Sequence, residues 1–249
     1  MKLIYILLLL TPTLFARDKG QIEITTDEGI EVFQKEKYYL LKKNVKIDSD
    51  DFILTAEQVK AFFEKDLYDI KYIESEGSVK FISNDGVTVY GEKLTFSSKN
   101  NNIHVSGINS SILIKNITMK SNGYIKIDDL KGKFKIEGPD SLLLTENISI
   151  FGNNIEGEYN KINNINKIIN LTVIDNDLSE IKTDKLQMFS SKAIFSEKNN
   201  LIELFDNVKV IRDSEIIIGD YAKINTLDES YKIISKKSNK VKILIDNNQ

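Results

Sequence analysis

The sequence predicts an all-β protein of antiparallel strands. Apolar residues alternate with polar ones in short runs, such as Val45 with Ile47 and Val208 with Val210, and a period of two is typical of a strand that buries one face. Polar turn-forming clusters, such as 48–51, separate the runs. The separations are too short for helical crossovers, so hairpins are expected.

The scarcity of proline also favours a β-sheet protein, because proline removes a hydrogen-bond donor from a strand ladder. Apart from Pro12, the chain contains only Pro139, which follows Gly138 and predicts a turn. We place a midpoint there. The predicted turn therefore divides the chain into a first repeat region, 17–137, and a second, 138–249, continuous with the first.

The N-terminus predicts a signal peptide over residues 1–16. Lys2 precedes an apolar run that ends near Ala16, the order of a secretory signal with a small residue at the cleavage point. An uncleaved membrane anchor is the alternative, but spanning a bilayer takes about 20 apolar residues, and this run is shorter and is broken by Pro12. We expect cleavage after Ala16 and export of the protein across the inner membrane.

Composition excludes several function classes. The chain has 34 Lys and Arg against 37 Asp and Glu, interspersed, with a net charge of −3, so no basic stripe favours nucleic-acid binding. It contains no cysteine and one histidine, His104, expected on a surface strand, so a Cys/His metal site is not expected. We find no nucleotide-binding or nucleophile motif and expect no cofactor, no metal site, no catalytic residue and no enzymatic activity.

A short internal repeat places an acidic residue after a small residue or Thr and before two apolar positions. Its acids are Glu57, Glu92, Asp184 and Asp220, with a degenerate copy at Glu158. Glu57 and Glu92 are 35 residues apart, and Asp184 and Asp220 are 36 apart, about four short strands. A catalytic acid is needed once, whereas a corner recurs, so we interpret these acids as corner residues that hydrogen-bond exposed backbone.

A second element precedes the first and begins with Gly or Asn before apolar residues. It starts at Asn44, Gly77, Asn147 and Asn207, and both residue types tolerate positive φ in a turn or bulge. The apolar face also moves by an odd step between Ala56 and Val59, which predicts a bulge or corner. The Asn-rich segment 160–167 is interpreted as a solvated turn.

These two elements resemble the repeats of the OstA-like domain family, over residues 30–107 and 141–245 and more weakly between them. The resemblance implies an elongated antiparallel twisted β-jellyroll, two sheets in a V, built from tandem repeats of about four strands. It implies a periplasmic lipopolysaccharide-binding transport protein that shields lipid A acyl chains for outer-membrane assembly in Gram-negative cells. The implied partners are lipopolysaccharide, an inner-membrane extraction complex, an outer-membrane translocon and a head-to-tail homo-oligomer that stacks through the terminal strands 22–24 and 241–245.

An apolar groove between the sheets is the expected lipid-binding site, and the alternative is that the same side chains fill a closed core. Its candidate lining is Val45, Ile47, Phe52, Leu54, Ala56, Val59, Ala61, Phe63, Val79, Phe81, Val87, Val89, Leu94 and Phe96. Continuity of the groove through 108–140 stays open. Three other functions also stay open: a membrane-anchored partner of the same pathway, a surface structural or adhesive β-repeat protein, and a polysaccharide-processing enzyme.

Overall fold

The computed structural model describes residues 20–65, 69–162, 165–236 and 239–245. This part of the chain forms twenty strands joined by antiparallel pairing, and it contains no helix long and apolar enough to cross a bilayer. The predicted signal peptide, 1–16, lies outside the described residues. The strands are β1 (Glu23–Thr25), β2 (Ile30–Phe33), β3 (Tyr38–Asp48), β4 (Phe52–Phe63), β5 (Ile70–Ser83), β6 (Val87–Ser97), β7 (Asn102–Ser106), β8 (Ser110–Ile114), β9 (Ile117–Ser121), β10 (Tyr124–Asp128), β11 (Lys133–Glu137), β12 (Leu142–Leu144), β13 (Ser149–Phe151), β14 (Asn154–Ile162), β15 (Ile165–Lys182), β16 (Gln187–Ser196), β17 (Leu201–Arg212), β18 (Glu215–Asn225), β19 (Tyr231–Ile234) and β20 (Lys242–Ile245).

The strands fold into two facing layers, which confirms the predicted antiparallel β-jellyroll. The long strands β3–β6 and β15–β18 contribute one half to each layer, because their register shifts midway. The first layer has the order β2-β3-β4-β5-β6-β7-β10-β11-β14-β15-β16-β17-β18-β19. The second layer has the order β1-β3-β4-β5-β6-β8-β9-β12-β13-β15-β16-β17-β18-β20.

The corners between the layers are β-bulges at residues with positive φ. In β3, Lys43 and Asn44 have φ values of 66° and 50° and together oppose the single residue Glu57 of β4. The extra residue bends β3, and the buried face changes phase in the paired strand β4, between Ala56 and Val59. The same arrangement recurs where Gly77–Ser78 opposes Glu92 and where Asp206–Asn207 opposes Asp220. The predicted corners at these sites, and the bulge between Ala56 and Val59, are confirmed.

Three members of the predicted repeats lie elsewhere. Asn147 and Asp184 occupy the turns that precede β13 and β16, and Glu158 lies within β14, paired with Lys133. Asn147 therefore lies in a turn, one of the two environments predicted for it, whereas the interpretation of Asp184 and Glu158 as corner residues was wrong. A short motif of a small residue and an acid satisfies a hairpin turn as readily as a corner, so spacing alone did not separate the two.

The middle of the chain continues the same ladder with separate short strands. Here each crossing is a loop instead of a bulge: 107–109 between β7 and β8, 122–123 between β9 and β10, 138–141 between β11 and β12, and 152–153 between β13 and β14. Pro139 lies in one of these loops, which confirms the predicted turn. Both layers therefore run without a break through 108–140, and the regions 17–137 and 138–249 are continuous in pairing, whereas the boundary between them stays a prediction.

The core lies between the layers and follows from the alternation. Leu54 and Ala56 face inward before the β4 bulge and Val59, Ala61 and Phe63 face inward after it, all of them buried. Burial of such side chains stabilises the fold by about 1.5–3 kcal/mol for each large aliphatic or aromatic residue. The bulges thus keep the apolar side of every long strand inside.

Both ends of the ladder are open among the described residues. β1 and β2 pair only with β3 at one end, and β19 and β20 pair only with β18 at the other. Exposed apolar side chains mark both edges, including Ile30 and Val32 at the first and Ile243 and Ile245 at the second.

Candidate binding site between the layers

The side of the molecule opposite the corners is a mouth between two rows of turns. The second layer places the turns 49–51, 84–86, 115–116 and 145–148 on one rim, and the first layer places turns such as 98–101 on the other. Since consecutive strands alternate in direction, their turns collect at the free rim of each layer. The mouth is therefore the natural entrance to the space between the layers.

An apolar cavity of about 510 Å³ opens at this mouth. Inward-facing side chains of both layers form it, because β12, β13 and the second half of β15 lie across from the first half of β15, the end of β16 and the start of β17. The volume lies within the range of about 300–1,000 Å³ that ligand sites occupy. Its apolar walls are Leu143, Ile148, Ile150, Ile165, Ile168, Ile181, Phe195 and Ile202, and its polar rim is Asn116, Thr145, Glu146, Asn147, Asn166 and Lys167.

A second cavity, of about 440 Å³, lies beside the first and has a charged rim. We call it the charged-rim cavity. Its floor contains the aromatic residues Phe52, Phe81 and Phe96, whose ring centroids are 4.9–5.7 Å apart. Phe52 and Phe81 belong to the second layer and Phe96 to the first, so this cluster joins the layers. Its other lining residues are Asp51, Ser83, Asn84, Asp85, Val87, Ser98, Asn101, Ile103, Ile114, Lys115, Ile127, Asp129, Lys161 and Asn166.

The fourteen predicted groove residues all face the space between the layers, but most are packed. Ten of them are buried without lining either cavity: Val45, Ile47, Leu54, Ala56, Val59, Ala61, Phe63, Val79, Val89 and Leu94. The other four, Phe52, Phe81, Val87 and Phe96, line the charged-rim cavity. A lipid-binding role for the set stays a prediction, and those four are its members nearest the mouth.

Asn116 and Asn166 join the two layers across the mouth. Asn116 lies in the turn between β8 and β9, and Asn166 is the second residue of β15. The Asn116 Nδ2 group donates to the Asn166 carbonyl at 3.0 Å, and the Asn166 backbone N–H donates to Asn116 Oδ1 at 3.0 Å. Asn166 lines both cavities, so this bridge lies where they meet.

The Asn166 side chain has no hydrogen-bond partner within the described residues, although it is buried. The residue is 2% exposed, and neither its Nδ2 nor its Oδ1 has a hydrogen bond. The segment 160–167 was interpreted as a solvated turn, which was wrong for Asn166. Strands β14 and β15 extend into this segment and place Asn166 inward, at a position where Ile168 and Leu171 follow on the same face.

A polar cluster lies at the first-layer rim of the charged-rim cavity. The Tyr159 hydroxyl donates to Asp129 Oδ1 at 2.6 Å, and the Lys161 ammonium donates to Asp129 Oδ2 at 2.6 Å. Burial, and then the hydrogen bond to Asp129, raises the pKa of the Tyr159 phenol well above its usual value of 10. The cluster ties the turn before β11 to β14 and stabilises this rim.

His104 lies on β7, as predicted, and is half-buried. Its ring meets the Tyr124 ring edge-on, with centroids 5.5 Å apart. Burial, and then the positive charge of Lys126, lowers the pKa of His104. In the described residues no group of three or more His, Cys, Asp or Glu side chains is placed to hold a metal ion.

Sequence reasoning missed the lining of the apolar cavity. Ile148 and Ile150 follow Asn147 in the second repeat element but were not assigned to a site, and Phe195, Ile202 and Asn166 were not singled out. The alternation of apolar residues does place the aliphatic members inward. It does not show where two inward faces fail to fill the space between them.

The fold and the cavities define a two-layered antiparallel β protein with an apolar interlayer site that opens at one side. No protein-family model matches the chain, and no curated protein matches it. Among solved structures, the chain is similar to LptH, described as the LptA homologous periplasmic component of the conserved lipopolysaccharide transport device from Pseudomonas aeruginosa. The identity is 13% and the TM-score 0.44, and the match covers 52% of this chain and 94% of LptH.

Proposed function

We propose that this protein is a non-enzymatic periplasmic carrier that binds the acyl chains of lipopolysaccharide between its two layers, for outer-membrane assembly. The observation that carries the proposal is the apolar cavity, which opens at the mouth and has a volume of about 510 Å³. The repeats that resemble the OstA-like family support the same function independently of the cavity.

The energetics of binding favour hydrocarbon. Each methylene that moves from water into an apolar site contributes about 0.8 kcal/mol. The walls supplied by Ile148, Ile168 and Phe195 carry no polar side-chain atom, so they fix neither the position nor the direction of a chain. Such apolar walls suit a carrier, because they hold hydrocarbon strongly and do not themselves specify one register.

The continuous ladder supports movement along the molecule. Both layers continue through 108–140, and the two cavities adjoin at Asn166. We propose that acyl chains pass from one cavity to the other beneath the mouth. The free energy for such movement would come from the inner-membrane extraction complex, with the outer-membrane translocon as acceptor.

The open ends of the ladder support end-to-end assembly. Strands with an unpaired edge accept a strand from another molecule, and β20 exposes Ile243 and Ile245 at such an edge. Ile243→Lys is expected to reduce concentration-dependent assembly in sedimentation velocity. Ile174→Lys, at an exposed position in the middle of the ladder, is the control and is expected to assemble like the wild type.

Photocrosslinking tests the lipid site directly. We would place p-benzoylphenylalanine at Phe96 and Phe195, which line the two cavities, and express the full chain in a Gram-negative host. Adducts with lipopolysaccharide are expected at both positions. The matched control is Phe151, whose side chain is 42% exposed on the outer face of β13, and it should form none. Adducts at Phe151 equal to those at Phe195 would contradict binding between the layers.

A blocking substitution tests whether the apolar cavity is required. Ile148→Trp fills the cavity from the rim, where Ile148 is half-buried, and should reduce lipopolysaccharide binding at least tenfold. Ile174→Trp adds the same bulk at an exposed position and should leave binding unchanged. A wild-type chain that retains no lipopolysaccharide would instead favour a structural or adhesive β-repeat protein.

A further inference from the structure

We infer that Asn166 is the polar anchor of the lipid site and that it selects acyl chains bearing a group that both donates and accepts a hydrogen bond, such as an amide. The inference rests on the proposed function and adds a chemical preference to it. It depends on one residue that the packing of this protein leaves unexplained.

The buried Asn166 side chain lowers the stability of the ligand-free protein. The residue is 2% exposed, and its Nδ2 and Oδ1 atoms have no hydrogen-bond partner in the part of the chain that the structure describes. A buried polar group without a hydrogen bond opposes folding. Leucine or isoleucine would fill this inward position on β15 without that penalty. A cost of this kind is typical of a functional position.

The geometry directs the unsatisfied amide to a ligand. Asn166 is shared by the linings of the apolar cavity and the charged-rim cavity, so a ligand in either cavity can lie against it. Its backbone N–H and C=O are both hydrogen-bonded to the Asn116 side chain, at 3.0 Å each. The backbone that carries the side chain is therefore held at the junction before any ligand arrives, which favours a selective contact.

The chemistry of the amide defines the ligand group. Nδ2 can donate and Oδ1 can accept, so a ligand satisfies both atoms only if it supplies an acceptor and a donor. A ligand amide does so through its C=O and N–H. An ester of the same length supplies the C=O alone and leaves Oδ1 buried and unpaired.

Two matched probes test this selectivity: N-ethyldodecanamide and ethyl dodecanoate, which differ by N–H against O. Their dissociation constants would be measured by displacement of N-phenyl-1-naphthylamine from the full chain. The wild type is expected to bind the amide about tenfold more tightly than the ester, since one buried hydrogen bond separates them. Asn166→Leu and Asn166→Ala should both reduce this ratio to about one. The alanine variant removes the amide without adding a bulkier side chain to the cavity.

Asn170→Leu is the control, because Asn170 lies on the same strand and is exposed, and it should retain the wild-type ratio. Equal affinity of the wild type for amide and ester, or a preference that survives both Asn166 substitutions, would overturn the anchor. Lipopolysaccharide adducts at Phe195 would still support the carrier in that case. If the wild type binds neither probe, the anchor fails, and the crosslinking result decides separately whether the carrier fails too.

Discussion

Asn116 holds Asn166 in place by bonding both polar groups of its backbone across the mouth. The two hydrogen bonds are 3.0 Å each and connect a turn of the second layer to a strand of the first. The Asn116 side chain thus makes the two hydrogen bonds that a neighbouring strand would make to Asn166. The consequence is a fixed backbone with a free amide side chain.

Removing the Asn166 amide should stabilise the ligand-free protein. Asn166→Leu replaces two unsatisfied buried atoms with an apolar side chain at an inward position, and relief of such a group is worth about 1–3 kcal/mol. We expect the free energy of unfolding in urea to rise by an amount in that range. Asn170→Leu, on the exposed face of β15, should change it little. A loss of stability in Asn166→Leu would show that the amide contributes to folding.

Breaking the bridge should loosen the mouth without unfolding the layers. Asn116→Ala removes both hydrogen bonds to Asn166, each worth about 0.5–1.5 kcal/mol. Hydrogen exchange of the Asn166 amide is therefore expected to accelerate at least tenfold. The amide of Leu171, deeper in the same strand, should keep its protection. Equal acceleration at both amides would mean that the substitution destabilises the whole strand, which contradicts a local bridge.

The all-β class, the hairpins and several corners could be predicted from sequence because each depends on local chemistry. Alternation places Leu54 and Ala56 inward whatever lies opposite them, and Asn44 can adopt positive φ by itself. These features require no knowledge of distant residues.

The cavities depend on how two distant segments meet and could not be predicted in the same way. Ile150 and Ile202 are both inward-facing by pattern, and only the separation of their layers decides whether a space remains between them. The burial of Asn166 could not be predicted either, because the surrounding Asn-rich residues have the composition of a turn. Its burial follows from the extension of β14 and β15, which local composition does not determine.

The corner at Gly77 should be intolerant of any side chain. Its φ is +80°, and an added Cβ would lie 2.7 Å from the Cβ and Cγ atoms of Glu57. Gly86 has a similar φ of +84° but nothing within 4 Å, so Gly86→Ala measures the backbone cost alone, about 1–2 kcal/mol. Gly77→Ala should lower the free energy of unfolding by at least about 1 kcal/mol more, from overpacking. Equal losses in urea denaturation would refute close packing of Glu57 at the corner.

Tyr159 should make the protein lose stability in alkali. Its pKa is raised by burial and by the hydrogen bond to Asp129, so below pH 10 both the folded and the unfolded chain carry the phenolic proton. Above pH 10 the unfolded chain releases the proton and the folded chain retains it. The unfolded state then binds fewer protons, and the free energy of unfolding falls as pH rises, by at most about 1.4 kcal/mol per pH unit from this residue.

Tyr159→Phe isolates that contribution. It removes the 2.6 Å hydrogen bond to Asp129 and should lower the free energy of unfolding at neutral pH by about 1 kcal/mol. Between pH 10 and 11.5, however, the variant should lose stability less steeply than the wild type, because it has no phenol to ionise on unfolding. The contrary result would be equal slopes of unfolding free energy against pH for the wild type and Tyr159→Phe, measured by urea denaturation across this range. Equal slopes would mean that the Tyr159 phenol ionises alike in the folded and unfolded states, which contradicts its burial beside Asp129.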